Sequence, residues 1–195
     1  MPRLVARMRR LMPCILIAVF TCLLVSGALS PASAQEWKVN KAKSRVTLAT
    51  TIDGQPVEGR FSYYKPDITI DPEEPSYGKV AIAIDAASLQ TGAPGFDAML
   101  AGPDWLNAGA HPAIKLASVS IKEKDAPSYR MEADLTVRGV TKRISAPITI
   151  EDAGVDGVLR TEIRFNPRAF NVGPASAGTE EMVITVDLTA THLTN

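Results

Sequence analysis

The sequence predicts an all-β protein, an extended antiparallel, lipocalin-like β-barrel of about eight strands with one or two short helices near the barrel mouth. From Trp37 to the end of the chain, apolar residues alternate with polar ones, and turn residues separate the alternating stretches. Such alternation is typical of half-buried antiparallel strands, because successive side chains of a strand point to opposite faces. No stretch of helical period is longer than about two turns.

The alternation is clearest in four stretches, at residues 80–84, 131–137, 144–150 and 182–190. Shorter matches lie at residues 45–51, 57–63, 67–71, 114–121 and 159–165. Pairs of turn-forming residues such as Arg138-Gly139 separate the stretches. We expect Gly54 and Gly157 to supply the positive φ of tight hairpins.

Eight or more short antiparallel strands can form either a sandwich or a closed barrel. A barrel of about eight strands has an interior that is either filled by side chains or wide enough for one ligand. Small residues on the expected inner faces leave room and favour a cavity; they are Ala81, Ala83, Ala133 and Ala146.

Residues 93–107 form the best helical candidate. Pro94 suits the first turn of a helix, and Pro103 ends it. The apolar residues that would cluster on one side of this segment are Phe96, Met99, Leu100 and Trp105. They either pack as ordinary core at the barrel mouth or line the entrance for a ligand, and a lidded barrel allows both roles at once.

The first 34 residues have the three parts of a cleavable signal peptide. Four arginines without any acidic residue precede an apolar run of 12 residues, and Ala32-Ser33-Ala34 follows as a small-x-small cleavage site. A transmembrane helix needs about 20 apolar residues. We therefore expect residues 1–34 to be removed during export and residues 35–195 to form a single domain that does not span a membrane. The expected location is the periplasm or the outside of the cell.

The expected mature chain is acidic and free of cysteine. Residues 35–195 hold all 21 acidic but only 17 of the 21 basic residues, which gives a net charge of −4. This balance argues against nucleic acid as a partner, because nucleic-acid recognition needs a clustered basic surface. Cys14 and Cys22 both precede the expected cleavage site, so disulfides, thiolate nucleophiles and Cys-metal sites are excluded from the mature chain.

Short motifs follow one another along the whole of the expected mature chain. They read WKV at 37–39, KSRV at 43–46, VEGRF at 57–61, ITIDP at 68–72, SLQTG at 88–92, DWL at 104–106, HPAI at 111–114 and LTVRGVTK at 135–142. In this order they resemble the YceI-like family, the polyisoprenoid-binding, lipocalin-like proteins. The chain departs from the family pattern at residues 49–51 and 96–99, where the family often carries His, and at residues 165–173.

The resemblance implies a barrel whose apolar lumen holds a long isoprenoid or fatty chain, in a protein that is not an enzyme. The expected ligand is therefore a long-chain apolar molecule, and no cofactor or metal is expected. The residues assigned to the lumen and its mouth are Phe61, Val80, Ile82, Ile84, Phe96, Met99, Leu100, Trp105, Ile114, Leu116, Ala133, Leu135, Val137, Ala146, Ile148, Phe165 and Phe170.

Three basic residues beside the Gly139 turn are candidates for contact with a charged head group. A diphosphate or carboxylate needs cations near the barrel mouth, and Arg138, Lys142 and Arg143 flank the turn. The alternative is an ordinary solvated hairpin turn. Residues 173–178 pose the same choice between a flap over the mouth and a plain loop.

Catalysis has little support in the residues. His111 and His192 lie far apart in the sequence, and the expected mature chain has no cysteine. Zinc sites in proteins need three or four ligands from the protein. The G-x-S-x-G pattern of serine hydrolases is absent, and Asp97 is interpreted as a hydrogen-bond anchor for the short helix. The leading hypothesis is a carrier. An enzyme acting on a lipid-like substrate and a ligand-free structural β-sandwich or barrel remain as alternatives, and a homodimer is compatible with all three.

We predict that the exported protein begins at Gln35. The reason is that Ala32-Ser33-Ala34 follows an apolar run too short to span a bilayer. N-terminal sequencing of the protein recovered from outside the cytoplasm checks this. Recovery of a chain that still begins at Met1 would contradict it.

Overall fold

The computed structural model describes residues 37–70, 74–152 and 156–192, which all lie in the compact unit formed by residues 32–195. The predicted signal peptide lies outside the described residues. The strands are β1 Trp37–Val39, β2 Arg45–Ile52, β3 Gln55–Phe61, β4 Tyr64–Thr69, β5 Lys79–Asp85, β6 Leu89–Gln90, β7 Ala113–Asp125, β8 Ser128–Val137, β9 Val140–Asp152, β10 Asp156–Phe165 and β11 Met182–His192. The helix α1 spans Pro94–Ala101. The prediction of an all-β protein is confirmed.

All eleven strands belong to one antiparallel sheet that curls into a half-barrel. The strand order is β4-β5-β7-β8-β9-β10-β11-β2-β3-β6, and β1 pairs with β11 beside this path. β3 and β4 follow each other directly in the chain, and so do β5 and β6 apart from one short 3₁₀ turn. If β3 with β4 and β5 with β6 are each taken as one bent strand, the two bent strands form one long hairpin. In this hairpin Phe61 pairs with Leu89, and Tyr64 pairs with Ile84. Counted in this way, the sheet has eight long strands and the short β1, which explains the predicted number.

The bend in that hairpin brings the two ends of the sheet together. The backbone N–H of Ser62 donates to the carbonyl of Ser88 at 3.0 Å, and the N–H of Asp85 donates to the carbonyl of Tyr63 at 3.1 Å. The Ser88 hydroxyl accepts from the N–H of Tyr63 at 3.1 Å. A Cβ on Gly59 would lie 2.7 Å from a methyl group of Leu89, so the close approach of β3 to β6 requires a glycine at this position. We call this group of contacts the corner.

The inner face of the sheet forms one continuous apolar core. In β8 the inward residues Met131, Ala133, Leu135 and Val137 are all at most 1% exposed. The expectation that Ala81 and Ala83 face inward is wrong. They are half-exposed on the outer face of β5, because Val80, Ile82 and Ile84 occupy the alternate positions and are buried.

Two of the predicted turns are confirmed and one is wrong. Asp53-Gly54 and Arg138-Gly139 have positive φ at both residues, as in the two-residue hairpins that match strand twist. Gly157 has no positive φ and is a buried residue of β10. Its role is close packing, which is described below.

The helical segment is shorter than predicted. α1 begins at Pro94 and ends at Ala101, where the N–H of Gly102 donates to the carbonyl of Met99 at 3.0 Å. Residues 103–106 form a turn rather than a second helix, because Pro103 cannot continue the helical hydrogen bonds. Of the one or two short helices predicted, the described residues contain one.

Candidate ligand-binding interior

The half-barrel has two ends, and we name them by their elements. The helix end comprises α1, residues 103–108, the β8–β9 turn at residues 138–139 and residues 170–173. The β1 end comprises β1, the last residues of β9 and β11 and the first residues of β10. The strand pairing separates the two ends. Trp37 pairs with His192 and Gly157 with Ala190, whereas Phe165 pairs with Met182, eight residues from the Gly157–Ala190 pair along the β10–β11 hairpin.

The predicted wall residues lie together in the core. Each of the thirteen outside the helical segment is at most 6% exposed, and they are Phe61, Val80, Ile82, Ile84, Ile114, Leu116, Ala133, Leu135, Val137, Ala146, Ile148, Phe165 and Phe170. Phe165 and Phe170 meet edge to face with their ring centroids 5.2 Å apart. That these residues touch a ligand stays a prediction.

The helix end is closed by apolar side chains. Leu100, Trp105 and Leu106 are at most 3% exposed. Met99 is partly buried and packs against the core, whereas Phe96 is 37% exposed. The buried members of this cluster therefore pack as core, and Phe96 contributes least to it.

Arg138 ties three segments of the helix end together. Its guanidinium donates to the carbonyl of Pro103 at 2.5 Å, to that of Asp104 at 3.4 Å, and to that of Asn171. The N–H of Gly173 also donates to the Asp104 carbonyl, at 2.9 Å. The β8–β9 turn thus holds both neighbouring loops through hydrogen bonds to carbonyls, so the Arg138 guanidinium is already occupied.

The other two predicted head-group residues differ from each other. Arg143 forms a two-point ion pair with Asp134, at 2.7 and 3.3 Å, and this hydrogen bonding raises the pKa of Arg143 above its ordinary value. Lys142 is exposed near the same turn. A head-group contact by these residues stays a prediction.

Asp97 anchors the start of α1, as the sequence predicts. Its carboxylate accepts from the hydroxyl of Thr91 at 2.6 Å and from the N–H of Thr91 at 2.7 Å. These two bonds lower the pKa of Asp97 below its ordinary value of 3.8. The carboxylate thus links α1 to the residue after β6 while it is ionised.

An apolar cavity of about 20 Å³ lies at the β1 end. Its lining comes from four strands and from Trp37, and the residues are Trp37, Ile68, Ile70, Ile150, Glu151, Gly157, Val158, Leu159, Leu188 and Ala190. A space of this size holds about one water molecule, whereas small-molecule pockets have volumes of roughly 300–1,000 Å³. A long ligand would therefore have to widen the cavity.

Trp37 lines one side of this cavity. Its indole N–H donates to the carbonyl of Ile70 at 2.9 Å, which connects β1 to the end of β4. The six-membered part of the ring lies against the backbone of Gly157, where even a Cβ would fall inside van der Waals contact. Sequence reasoning assigned no role to Trp37. A glycine inside an alternating strand pattern was the available signal, because such a glycine often marks close approach of another group.

The buried hydroxyls contact the backbone, with one exception. Ser44, Thr50, Thr161 and Thr179 are buried, and each donates to a carbonyl; the four carbonyls are those of Asn40, Glu181, Pro147 and Ala177. The hydroxyl of Tyr64, at the start of β4, is buried and has no hydrogen-bond partner among the described residues. Burial raises the pKa of Tyr64 above its ordinary value of 10.0, and the charge of Arg60 offsets part of this rise.

Among the described side chains, no histidine is brought together with other metal ligands. His111 is half-buried beside Gly139, and His192 ends β11 with a side chain outside the described residues. Within residues 37–70, 74–152 and 156–192, no three His, Cys, Asp or Glu side chains are placed to hold a metal ion. In the same ranges, no helix is long and apolar enough to cross a bilayer.

A curled antiparallel sheet around an apolar interior, closed by a helix at one end, is a lipocalin-like architecture. The family model of the YceI-like domain matches residues 37–190, and the chain belongs to this family. The resemblance in the sequence is thereby confirmed.

The chain is also similar to individual proteins. It is 28% identical over 139 residues to protein YceI of Escherichia coli O157:H7, covering 66% of this chain and 72% of that protein. The crystal structure of Burkholderia cenocepacia BcnA superposes with a TM-score of 0.74 at 27% identity, covering 79% of this chain and 100% of BcnA. A polyisoprenoid-binding domain from Saccharophagus degradans, implicated in plant cell wall breakdown, superposes with a TM-score of 0.61 at 11% identity, covering 82% and 99%.

We predict that replacing Thr91 by Val raises the pKa of Asp97 towards its ordinary value. Valine removes the hydroxyl donor and keeps the backbone N–H, and the hydroxyl is the larger cause of the lowered pKa. Because the pKa of Asp97 is lower in the folded state, its ionised carboxylate stabilises the folded protein. This contribution to the free energy of unfolding is complete above about pH 4 and is lost as the pH falls through the folded-state pKa. A carboxyl NMR titration of both proteins measures this. An unchanged Asp97 pKa in the variant would show that the hydroxyl bond is unimportant.

We predict that Gly157→Ala displaces the Trp37 ring and destabilises the protein by about 1–3 kcal/mol, as overpacking does. The double variant Trp37→Ala with Gly157→Ala should be no less stable than Trp37→Ala alone, since the clash needs the ring. Urea unfolding measures both differences. Gly109→Ala is the control, because a Cβ there meets open space. Equal costs of Gly157→Ala with and without the ring would contradict the packing of Trp37 on Gly157.

Proposed function

We propose that this protein is an exported binding protein that holds a long-chain apolar amphiphile inside the half-barrel and keeps it from water. The observation that carries the proposal is the apolar cavity at the β1 end, which is lined by Trp37 and by residues of the continuous apolar core. Membership of the YceI-like family supports it, and so does the fold shared with a domain named as polyisoprenoid-binding.

The proposed mechanism is burial of the chain. Each enclosed CH₂ contributes about 0.8 kcal/mol, so ten of them contribute about 8 kcal/mol. Association costs about 4–15 kcal/mol before any affinity results. Tight binding without polar contacts therefore requires a chain clearly longer than ten carbons, and this is the physical reason for proposing a polyisoprenoid or long fatty chain.

The proposed entrance for the ligand is the β1 end, because the cavity lies there. At the helix end, Arg138 and its three carbonyls hold the loops over a fully buried layer. At the β1 end, the Trp37 indole donates to the carbonyl of Ile70, and the ring lines the cavity. A ligand would therefore enter past Trp37 and β1.

The location follows from the proposed signal peptide in residues 1–34. A carrier outside the cytoplasm meets amphiphiles that leave or enter membranes. Its cysteine-free mature chain has no thiol to oxidise there.

The test begins with organic extraction of the purified protein and mass spectrometry of the extract. We expect a long-chain apolar compound in a fixed molar ratio to the protein. Displacement of a fluorescent apolar probe by alcohols of increasing length should then show affinity rising with each added CH₂, by up to about fourfold.

The site is tested by filling the cavity. Ala190→Val adds volume at a residue that lines the cavity and should weaken probe binding at least tenfold. Overpacking costs about 1–3 kcal/mol, so the thermal midpoint of the ligand-free variant is measured beside the binding. Ala83→Val on the outer face is the matched control and should leave binding unchanged. If the parent protein yields no extractable compound and binds no apolar probe, the carrier proposal is wrong, and a ligand-free structural role replaces it.

A further inference from the structure

Tyr64 has a buried hydroxyl group that the fold does not explain. It is the first residue of β4, is 4% exposed, and points into the apolar interior with Ile68 of the same strand. Its hydroxyl is buried without a hydrogen-bond partner among the described residues. Buried polar groups are nearly always paired, and the other buried hydroxyls described above follow that rule.

Packing does not require this hydroxyl. A phenylalanine would place the same ring in the same position and would avoid the cost of an unpaired buried polar atom. The unpaired hydroxyl therefore destabilises the ligand-free protein, and a hydrogen bond to a ligand atom would remove this destabilisation.

The surroundings restrict what that atom can be. An ionised phosphate or carboxylate would lose its hydration in the apolar core, which is far more costly than burying a neutral oxygen. Burial raises the pKa of Tyr64, and the charge of Arg60 acts on Tyr64 and lowers this pKa. The Arg60 side chain is exposed, and its guanidinium donates to the Ser44 carbonyl at 3.3 Å, so it offers no buried cation to balance an anion. A hydroxyl, ketone or quinone oxygen fits.

The position of Tyr64 also restricts the length of the ligand. Ile68 lines the cavity under Trp37 and lies four residues further along β4. At about 3.3 Å per residue, the two positions are about 13 Å apart. A chain that lies along the inner face of β4 from the cavity can therefore bring an oxygen to the Tyr64 hydroxyl.

We propose that the Tyr64 hydroxyl hydrogen-bonds an uncharged oxygen of the bound molecule, which makes the ligand a long-chain alcohol, ketone or quinone rather than a lipid phosphate or carboxylate. This inference rests on the proposed carrier function. It assigns the polar contact to the interior of the half-barrel and not to the basic residues beside the Gly139 turn.

The test compares two ligands of equal chain length, hexadecanol and hexadecane, by displacement of a fluorescent apolar probe. We expect Tyr64→Phe to weaken hexadecanol binding about three- to tenfold and to leave hexadecane binding unchanged. The ligand-free variant should also have a raised thermal midpoint, because the unpaired hydroxyl is gone. Tyr129→Phe is the matched control, because Tyr129 is a second buried tyrosine and lies in β8. It should leave the ratio of the two affinities unchanged.

The outcomes separate the two proposals. If the parent binds both ligands and Tyr64→Phe weakens them equally or not at all, the Tyr64 assignment is wrong and the carrier function stands. If palmitate binds more tightly than hexadecanol and loses its affinity in Arg138→Gln, the head group is an anion at the helix end, and the Tyr64 assignment is again overturned. If the parent binds none of the three, both proposals are wrong.

Discussion

The half-barrel depends on the corner where β3 bends into β4. A curled sheet has two end strands with unpaired backbone groups, and such edges are prone to pair with other chains. Here one bent hairpin provides both ends, because β3 pairs with β2 and β6 while β4 pairs with β5. Ser88 holds the bend through its carbonyl and its hydroxyl, and Gly59 permits the close approach. Each inward position along β4 and β5, and so the whole apolar interior, follows from this closure.

The two ends of the interior are closed by different kinds of interaction. At the helix end a guanidinium and three carbonyls bind loops whose apolar side chains are fully buried. At the β1 end a flat ring lies on a glycine and makes a hydrogen bond to a strand end. The first arrangement crosslinks separate loops, whereas in the second an aromatic ring lines a cavity. The predicted mouth is at the helix end, and the cavity is at the opposite end of the half-barrel.

Much of the fold could be predicted, because a period of two assigns each residue of a strand to one face. The inward set Met131, Ala133, Leu135 and Val137 followed directly from that rule. Ala81 and Ala83 were misplaced because small residues were assigned to the inside for their size, although the alternation put them outside. Trp37 and Gly157 were missed because they meet across β1 and β10, and a contact between distant segments leaves no period in the sequence. Tyr64 was missed for a related reason, since an unpaired hydroxyl is visible only when all its neighbours are placed.

The positions of the two tryptophans have a spectroscopic consequence. Trp37 and Trp105 are the only tryptophans in the chain, and they lie at the β1 end and the helix end. Trp105 is 3% exposed and packs near Gly173, while Trp37 is partly buried over the cavity. Intrinsic fluorescence is therefore a sum of two emitters that report on opposite ends of the same interior. Replacing either one by phenylalanine isolates the other, so the order in which the two ends loosen can be read without any attached dye.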